Sequence, residues 1–367
     1  GLTVNGGNLV LGAANTLSGN VVLNGAGSLT LGAAGALGSG NSLAFGSGAS
    51  GEFKLAGNAV TLSGLSTHAT VGTPTVVNGV SATTATLTVD VASGTQTFAG
   101  VLADGSLGTL AFAKSGAGTF VLTGANTLTG GTTVSAGALQ VGAGGSLGSA
   151  TIASGALLSF DRGDVFTYAG ATSVAAGTLA TVGNSTLTAT SYVGISASAT
   201  LSLGGDEALE GIANAGTITL GGILTTGTTS YTLGGAIDGV GSLVKAGAGT
   251  LTLTSLTTHT GGTTVNAGNL LLSGAGDHLA DAGSLTVNGG TFDLGTLAET
   301  VGTATLTGGT IENGTLTATT FAFEAGTVSA TLAGGSATKT TAGTLTLSGA
   351  NTFVGGFTLG AGTALAG

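Results

Sequence analysis

The chain has 367 residues, of which 74 are glycine and only 5% are charged, with one proline and no cysteine. Its formal net charge of −10, from five basic and fifteen acidic side chains, leaves no basic patch for a run of phosphates, so nucleic acid is excluded as a partner. The lack of cysteine excludes disulfides and thiolate metal sites, and no run approaches the roughly 18 apolar residues of a membrane-spanning segment.

The first 45 residues alternate short apolar runs with glycine and asparagine. The stretch NLVLGAANTLSGNVVLNGAGSLTLG, from Asn8 to Gly32, has the period-two pattern of β-strands joined by turns. Residues 46–90 are the least regular part and contain Pro74, which cannot donate a ladder hydrogen bond. We therefore predict a loop or an edge interruption there.

The clearest repeat is KSGAGTFVLTGANTLTGGTTVSAGALQVG, at Lys114–Gly142. Copies of it begin at Lys245 and Lys339 and align without a gap, and its Gly130–Gly131 pair recurs in each. We expect that pair to supply a positive φ at a turn. A unit this short cannot bury its apolar face alone, so the copies must stack on one another. The repeats, centred on 8–32, 114–142, 245–273 and 339–367, predict one continuous solenoid over 1–367.

The spacing of the three lysines predicts the length of one turn of this solenoid, here called a rung. The intervals are 131 and 94 residues, and division by seven and five gives about 18.7 and 18.8. A rung of about 19 residues suits three short strands joined by turns. We predict an all-β fold, a single-stranded parallel β-helix, and the usual crossover preference makes it right-handed.

Few residues are candidates for chemistry. Arg162, Gly163 and Asp164 form an RGD tripeptide, which on an exposed turn would be a weak candidate for receptor binding. The alternative is a surface loop held by charge pairing, which contributes little to stability.

Two acidic clusters and one histidine complete the candidates. The clusters would coordinate a cation through oxygen ligands, but we interpret them as solvated turn residues because neither recurs in the other copies. The histidine stands where the other copies are apolar, so we predict that it is buried and satisfied by a carbonyl. No catalytic triad or paired-acid site is identified, and we predict no enzyme activity, metal or cofactor. These residues are Asp206, Glu207 and Glu210; Asp277, His278 and Asp281; and His259.

The repeat at Lys114–Val141 closely resembles the autotransporter-associated β-strand repeat, also called the passenger-associated transport repeat, of bacterial secreted and surface proteins. The copies at Lys245–Leu272 and Lys339–Leu365 resemble it well, and the remaining repeats do so more diffusely. Departures are His259, where the other copies have leucine or phenylalanine, and Phe357, where they have threonine. The resemblance implies a parallel β-helix outside the cell, as a passenger or stalk.

We therefore expect a non-enzymatic structural module at the bacterial cell surface, a stalk or fibre segment that supports adhesion, aggregation or a biofilm matrix. The expected partners are other copies, end to end, or cell-surface, matrix or glycan surfaces. An alternative is a filament built by head-to-tail stacking. An ice-binding or polysaccharide-binding face is a further alternative, because Thr250, Thr252 and Thr254 form a Thr-x-Thr row. Both ends of the sequence fall within the repeat pattern, so we expect a segment of a longer protein.

Overall fold

The structure, a computed structural model, describes residues 1–105, 108–168, 171–187 and 192–367, and within them the side chains of all but 163–168 and 184–186. The chain forms two compact units, Gly1–Thr186 and Leu187–Gly367. The prediction of one continuous solenoid over residues 1–367 stays a prediction.

The first unit consists of short strands. They are β1 (Leu2–Val4), β2 (Asn8–Leu11), β3 (Val21–Leu23), β4 (Ser28–Leu31), β5 (Ser42–Phe45), β6 (Glu52–Lys54), β7 (Val60–Leu62), β8 (Gly64–Thr67), β9 (Thr75–Val77), β10 (Thr84–Asp90), β11 (Thr95–Phe98), β12 (Val101–Ala103), β13 (Thr109–Ser115), β14 (Thr119–Leu122), β15 (Thr132–Val134), β16 (Ala138–Val141), β17 (Ala150–Ile152), β18 (Leu157–Tyr168), β19 (Thr172–Val174) and β20 (Thr178–Leu187).

These strands stack in four sheets, and every pair whose register is described is parallel. The sheet orders are β1-β3-β5-β8, β2-β4-β6-β9-β12, β7-β10-β13-β15-β17-β19 and β11-β14-β16-β18-β20. Neighbours in a sheet are never consecutive in sequence, because each strand pairs with the equivalent strand one rung away. Parallel strands need such a crossover, and here the next sheet of the same rung supplies it.

The second unit is built in the same way. Its strands are β21 (Tyr192–Ile195), β22 (Thr200–Leu203), β23 (Glu207–Leu209), β24 (Gly211–Asn214), β25 (Thr217–Leu220), β26 (Ile223–Thr226), β27 (Tyr231–Leu233), β28 (Ile237–Gly239), β29 (Ser242–Lys245), β30 (Thr250–Leu253), β31 (Thr263–Val265), β32 (Asn269–Leu272), β33 (Ser284–Val287), β34 (Thr291–Asp293), β35 (Ala298–Leu306), β36 (Thr310–Glu312), β37 (Thr315–Phe323), β38 (Gly326–Val328), β39 (Thr331–Lys339), β40 (Thr344–Leu347), β41 (Thr352–Phe353), β42 (Phe357–Leu359) and β43 (Thr363–Ala366).

Two long sheets and one short sheet make up this unit. They are β23-β26-β29-β31-β33-β35-β37-β39-β41, in which β42 also pairs with β39; β21-β24-β27-β30-β32-β34-β36-β38-β40-β43; and β22-β25-β28. None of the described residues is helical, and accordingly no helix long and apolar enough to cross a membrane is found in this part of the chain. The all-β parallel solenoid predicted from the sequence is confirmed.

The core lies between the sheets and is built from columns of equivalent residues. Phe98, Leu122, Val141 and Phe160 occupy one register position on four successive rungs, and each is at most 1% exposed. Each fully buried apolar side chain of this kind contributes roughly 1.5–3 kcal/mol relative to an exposed one. Stacked apolar columns therefore hold the rungs together.

The predicted rung length holds closely in the second unit. Lys245 pairs with Val265, and four further pairs lead from Val265 to Lys339, so the two lysines lie five rungs apart in one sheet. The sequence spacing predicts the same number of rungs, five, for this interval. Individual rungs between the two lysines differ in length: the rung from Val265 to Val287 is longer than the rung from Phe323 to Lys339.

The predicted number of strands per rung holds only in part. Among the described residues, three strands per rung occur at 60–103 and 192–245, whereas the other rungs have two strands and a third side of turns. Glycine is frequent on that third side, as in the segment GAGGSLGS at 142–149, and glycine weakens strands.

The prediction for residues 46–90 is wrong. They are not a loop or an edge interruption, since they contain all five strands from β6 to β10. Their rungs are longer than those of the repeat, as the pairing of Val60 with Leu87 shows. Pro74 lies just before β9, where it removes no ladder bond.

Candidate functional site

The three repeated lysines are buried inside the solenoid. Lys114 and Lys339 are 0% exposed and Lys245 is 1% exposed. Each is the last inward-facing residue of its strand, so it occupies a core position. Lys114, for example, pairs with Val89 on one side and Val134 on the other.

Each ammonium group donates to backbone carbonyls at the turn that follows its strand. One acceptor always lies two residues ahead, and another lies on a neighbouring rung. We call this arrangement the lysine corner. The acceptors are Gly116 (2.8 Å), Ser115 (2.6 Å) and Ala136 (3.2 Å) for Lys114; Gly247 and Gly227 (3.4 Å) for Lys245; and Thr341 (2.8 Å) and Glu324 (2.5 Å) for Lys339.

Burial decides the electrostatics of this corner. It lowers the pKa of Lys114 and of Lys245, while Asp90 and Glu210 respectively act in the opposite direction. Carbonyl oxygens, which carry partial negative charge, take the place of an acidic partner. The lysine corner therefore joins two rungs through the backbone, without a buried ion pair.

The double glycine of the repeat forms a second corner, and its two members have different roles. The second glycine has a positive φ of 85°, 86° and 77° at Gly131, Gly262 and Gly356, which confirms the prediction. At the first glycine, a Cβ atom would lie 2.5–2.7 Å from backbone atoms of the previous rung. One glycine thus permits the turn and the other permits close approach of two rungs.

An asparagine forms the third corner. Asn126 accepts a hydrogen bond from the N–H of Leu102 on one rung (2.8 Å) and donates to the carbonyl of Ser146 on the next rung (2.8 Å). The equivalent Asn351 accepts from the N–H of Leu332 (3.0 Å). These side chains supply hydrogen bonds that a third strand would have made, because the glycine-rich third side forms few ladder bonds.

The acidic cluster around His278 is not the set of solvated turn residues that the sequence predicts. His278 and Glu299 are both 0% exposed, and Asp281 alone in the cluster is exposed. The carboxyl group of Glu299, one rung away, accepts hydrogen bonds from the N–H groups of His278 (3.0 Å) and Leu279 (2.6 Å). Those two N–H groups lie in a turn with no strand to pair them, and Glu299 satisfies them.

Glu299 also bonds to a second carboxyl group. Burial, together with a hydrogen bond to Asp277, raises the pKa of Glu299 to about 8. Although burial acts to raise it, the pKa of Asp277 is lowered on balance by hydrogen bonds from Glu299 and Asp281. At neutral pH Glu299 therefore carries the proton and donates it to an ionised Asp277.

The carboxylates of the other acidic cluster do not converge. Glu207 is 3% exposed and accepts from the N–H of Leu187 (2.8 Å), whereas Asp206 accepts from the N–H of Ile223 (2.8 Å). Each carboxylate thus binds a different part of the backbone. Across the described residues, no three histidine, aspartate or glutamate side chains are grouped so that they could hold a metal ion.

His259 confirms its prediction. It is 2% exposed, and its Nε2 lies 3.1 Å from the carbonyl of Gly262 and 3.1 Å from the hydroxyl of Thr263. Burial lowers the pKa of His259, against the effect of the Gly262 carbonyl. Neither of these hydrogen bonds involves a carboxylate, and the absence of enzyme activity stays a prediction.

The RGD tripeptide lies inside β18, which spans Leu157–Tyr168, and not on a turn. Arg162 is 7% exposed, while the side chain of Asp164 lies outside the described part of the chain. The burial of Arg162 argues against direct recognition through this residue. Receptor binding by Arg162, Gly163 and Asp164 stays a prediction.

The sequence carries a signal for the buried polar groups that motif spacing does not show. In the strand LAFAKS, Lys114 falls in the same alternate positions as Leu110 and Phe112, and Glu299 likewise alternates with Val301. Period-two alternation places such residues on one face of a strand. The place of a residue in this alternation, and not its type, identifies the side chains that point inwards.

These corners define the chain as a β-solenoid repeat protein. The family model of the passenger-associated-transport-repeat matches residues 112–141, 163–180, 243–272 and 338–363. The resemblance noted from the sequence is therefore confirmed over these four segments. Each of the three lysine corners lies near the start of a matched segment.

A similar curated protein is the "Adhesin BmaC autotransporter" of Brucella suis biovar 1 (strain 1330), which is 33% identical over 221 residues. The match covers 56% of this chain and 5% of the relative, so the chain spans about one twentieth of the length of that relative. No solved structure matches the chain.

Proposed function

We propose that this chain is an extracellular structural segment of a bacterial autotransporter-type passenger, secreted or at the cell surface, which supports adhesion without catalysing a reaction. The observation that carries the proposal is the match of four segments to the passenger-associated transport repeat, together with similarity to a protein named as an adhesin autotransporter. The parallel solenoid fits this role, since its apolar columns are buried and its outer positions are mostly uncharged.

The chemistry of the repeat supports a scaffold. In each of the three best copies, the buried lysine binds the backbone of a neighbouring rung, as Lys114 does at Ala136. Such contacts fix the distance between rungs and present the outer face in a regular array. Weak contacts from a regular array add up when many form together, which is how a low-charge surface would support attachment.

The test uses the full-length protein in the bacterium that makes it. We expect an antibody against residues 1–367 to label intact cells, and in-frame removal of the segment to reduce attachment to a surface or to host cells. Labelling only after permeabilisation, or unchanged attachment, would contradict the proposal. Arg162→Ala is the matched variant: unchanged attachment fits a scaffold, whereas a loss equal to that of the deletion would favour the tripeptide.

The other expectations stay predictions. A head-to-tail filament would show as fibres by electron microscopy that lengthen with concentration, and an ice-binding face would show as thermal hysteresis. Neither has a specific observation among the described residues that favours it over the scaffold.

A further inference from the structure

A shallow groove of about 360 Å³ lies on the outer side of the second unit, near its first strands. Tyr192 of β21 forms one wall, Gly211 of β24 lies beside it in register, and Ser230 and Thr232 form the opposite side. Glu210 lies at one end. This volume is at the lower end of the range for small-molecule sites and suits one or two six-membered rings.

Tyr192 is unusual for this surface. Its side chain is 55% exposed, and it is the one aromatic residue among the exposed large hydrophobic side chains of the described residues. The chain has only three tyrosines, and two of them, Tyr192 and Tyr231, line this groove. Elsewhere the outer positions carry mainly threonine, serine, glycine and alanine, so a projecting aromatic ring is not a requirement of the solenoid.

The space beside that ring is kept open by a glycine. Gly211 pairs with Tyr192 at an outward-facing position, and a Cβ atom on it would lie 3.3 Å from Cδ2 of the Tyr192 ring. The φ of Gly211 is not in the left-handed region, so backbone conformation does not require glycine there. Lack of a side chain at this position creates the trough between the ring and the next rung.

The end of the groove has a fixed anion. Oε2 of Glu210 accepts hydrogen bonds from the N–H of Thr228 (2.7 Å) and from its hydroxyl group (3.0 Å). These bonds, with a further one from the N–H of Thr229, lower the pKa of Glu210, so it is ionised at neutral pH. A carboxylate can accept about four hydrogen bonds, and Glu210 therefore keeps acceptor capacity for a ligand.

We propose that this groove binds a neutral pyranose unit of a polysaccharide. The C–H face of the sugar ring would stack on Tyr192, one sugar hydroxyl would donate to Glu210, and Ser230 and Thr232 would bind further hydroxyls. An acidic sugar would be repelled by Glu210 and by the net charge of −10. A purely apolar ligand would displace water from the hydroxyl groups and from the remaining acceptor positions of Glu210 without replacing those hydrogen bonds. The inference goes beyond the proposed scaffold, which stands or fails independently of it.

The experiment measures binding of defined oligosaccharides to the whole chain by isothermal titration calorimetry and saturation-transfer NMR. The probes are cellohexaose, maltohexaose and N-acetylchitohexaose as neutral sugars, and a galacturonate hexamer as the acidic counterpart. A groove this open predicts a dissociation constant on the order of 1 mM for one neutral probe. Binding of no neutral probe at several millimolar, or equal binding of the acidic hexamer, overturns the proposal.

Three variants locate the site. Tyr192→Ala removes the stacking ring and should weaken binding about tenfold. Gly211→Val fills the trough while keeping the ring, and should weaken binding to a similar extent. Thr291→Ala changes an outward residue of the same sheet beyond the groove and should leave affinity unchanged. Circular dichroism and thermal unfolding check that each variant folds; a folded Tyr192→Ala protein with undiminished affinity contradicts the assignment.

Discussion

The lysine corner at Lys245 and the acidic cluster around His278, which includes Glu299, both bury polar groups in the same sheet of the second unit. The buried side chain is a hydrogen-bond donor in the first site and an acceptor in the second. Lys245 donates to carbonyls of Gly247 and Gly227, whereas Glu299 accepts from the N–H groups of His278 and Leu279. Turns leave either kind of backbone group unpaired, and the buried side chain has the complementary chemistry. The interior of this solenoid therefore tolerates polar residues wherever a turn lacks a ladder partner.

The two sites differ in how much we expect each to contribute to local stability. The lysine corner occurs in three copies, and the residues that supply its carbonyl acceptors are half-buried or exposed. The Glu299 cluster occurs once among the described residues and combines two buried N–H groups with a second carboxyl group. We expect the single cluster to matter more for local stability than any one lysine corner, and substitutions test this order.

The largest effect is expected for Glu299→Leu. It leaves the N–H groups of His278 and Leu279 buried without an acceptor, and we expect a loss of about 3 kcal/mol in the stability of this region. Hydrogen exchange of peptides covering 273–306 measures it, because repeat proteins open locally. Glu299→Gln is the matched control, since its amide can still accept from the two N–H groups and donate to Asp277. Equal loss in both variants would show that the hydrogen bonds are not the cause.

The next effect is a dependence on pH. Because the pKa of Glu299 is raised to about 8 in the folded chain and is about 4.3 in an unfolded one, the folded state binds this proton more tightly. The resulting stability is fully present below about pH 4, and is lost as pH rises through about 8. We expect a loss on the order of 2 kcal/mol between about pH 5 and pH 9, since solvent at the exposed Asp281 screens part of the charge.

Thermal unfolding and hydrogen exchange at several pH values measure this loss, and Glu299→Gln should flatten it. If the wild-type chain shows the same stability for 273–306 at both ends of this pH range, Glu299 and Asp277 do not share a buried proton.

A smaller effect is expected for Lys245→Met. The substitution removes the donor for two carbonyls but also removes the cost of burying an ammonium group, so a net loss of about 1–2 kcal/mol remains. Lys54→Met is the control, because the side chain of Lys54 is 40% exposed and forms a surface ion pair with Glu52 at 2.8 Å, and such pairs contribute little. Urea unfolding compares the two. A larger loss for Lys245→Met than for Glu299→Leu would reverse the comparison.

The smallest effect is an expected increase in stability, whereas the substitutions above decrease it. His259→Leu introduces the residue that the repeat has at Leu128, and Leu128 is buried. Since the pKa of His259 is lowered by burial, the unfolded chain binds the proton more tightly, and stability is lost as pH falls below about 6.5. We expect the free energy of unfolding of the variant to exceed that of the wild-type chain by about 1 kcal/mol at pH 5 and by less at pH 8. Thermal unfolding at both values checks it; a variant that is less stable at pH 5 contradicts the reasoning.

Local patterns predict the fold, because in a solenoid each rung contacts its sequence neighbours and the periodicity appears directly in the chain. The five rungs between Lys245 and Lys339 and the positive φ of Gly131 are examples. The prediction for residues 46–90 is wrong because their rungs depart from the period of the repeat, as the long rung from Val60 to Leu87 shows. A fixed period detects rungs of one length only.

Most of the candidate site could not be predicted, because it depends on which rungs face one another. Nothing near His278 in the sequence indicates that Glu299 satisfies its turn, since the two residues are 21 positions apart. The groove at Tyr192 likewise requires Gly211 to lie in register beside it. Side chains that meet across rungs follow from register, which loops of unequal length shift.

The unequal rung lengths show that turns of different length are compatible with the same core. The register of a column follows from inward alternation within the strands, so the long rung that ends at Val287 and the short rung that ends at Lys339 stack in the same sheet of the second unit. Residues added or lost in the turns leave the core unaltered, and insertions in surface loops are tolerated at low energetic cost. Insertions in the turns of such a protein therefore have little effect on stability. During evolution they can change the surface while the stacked core stays the same.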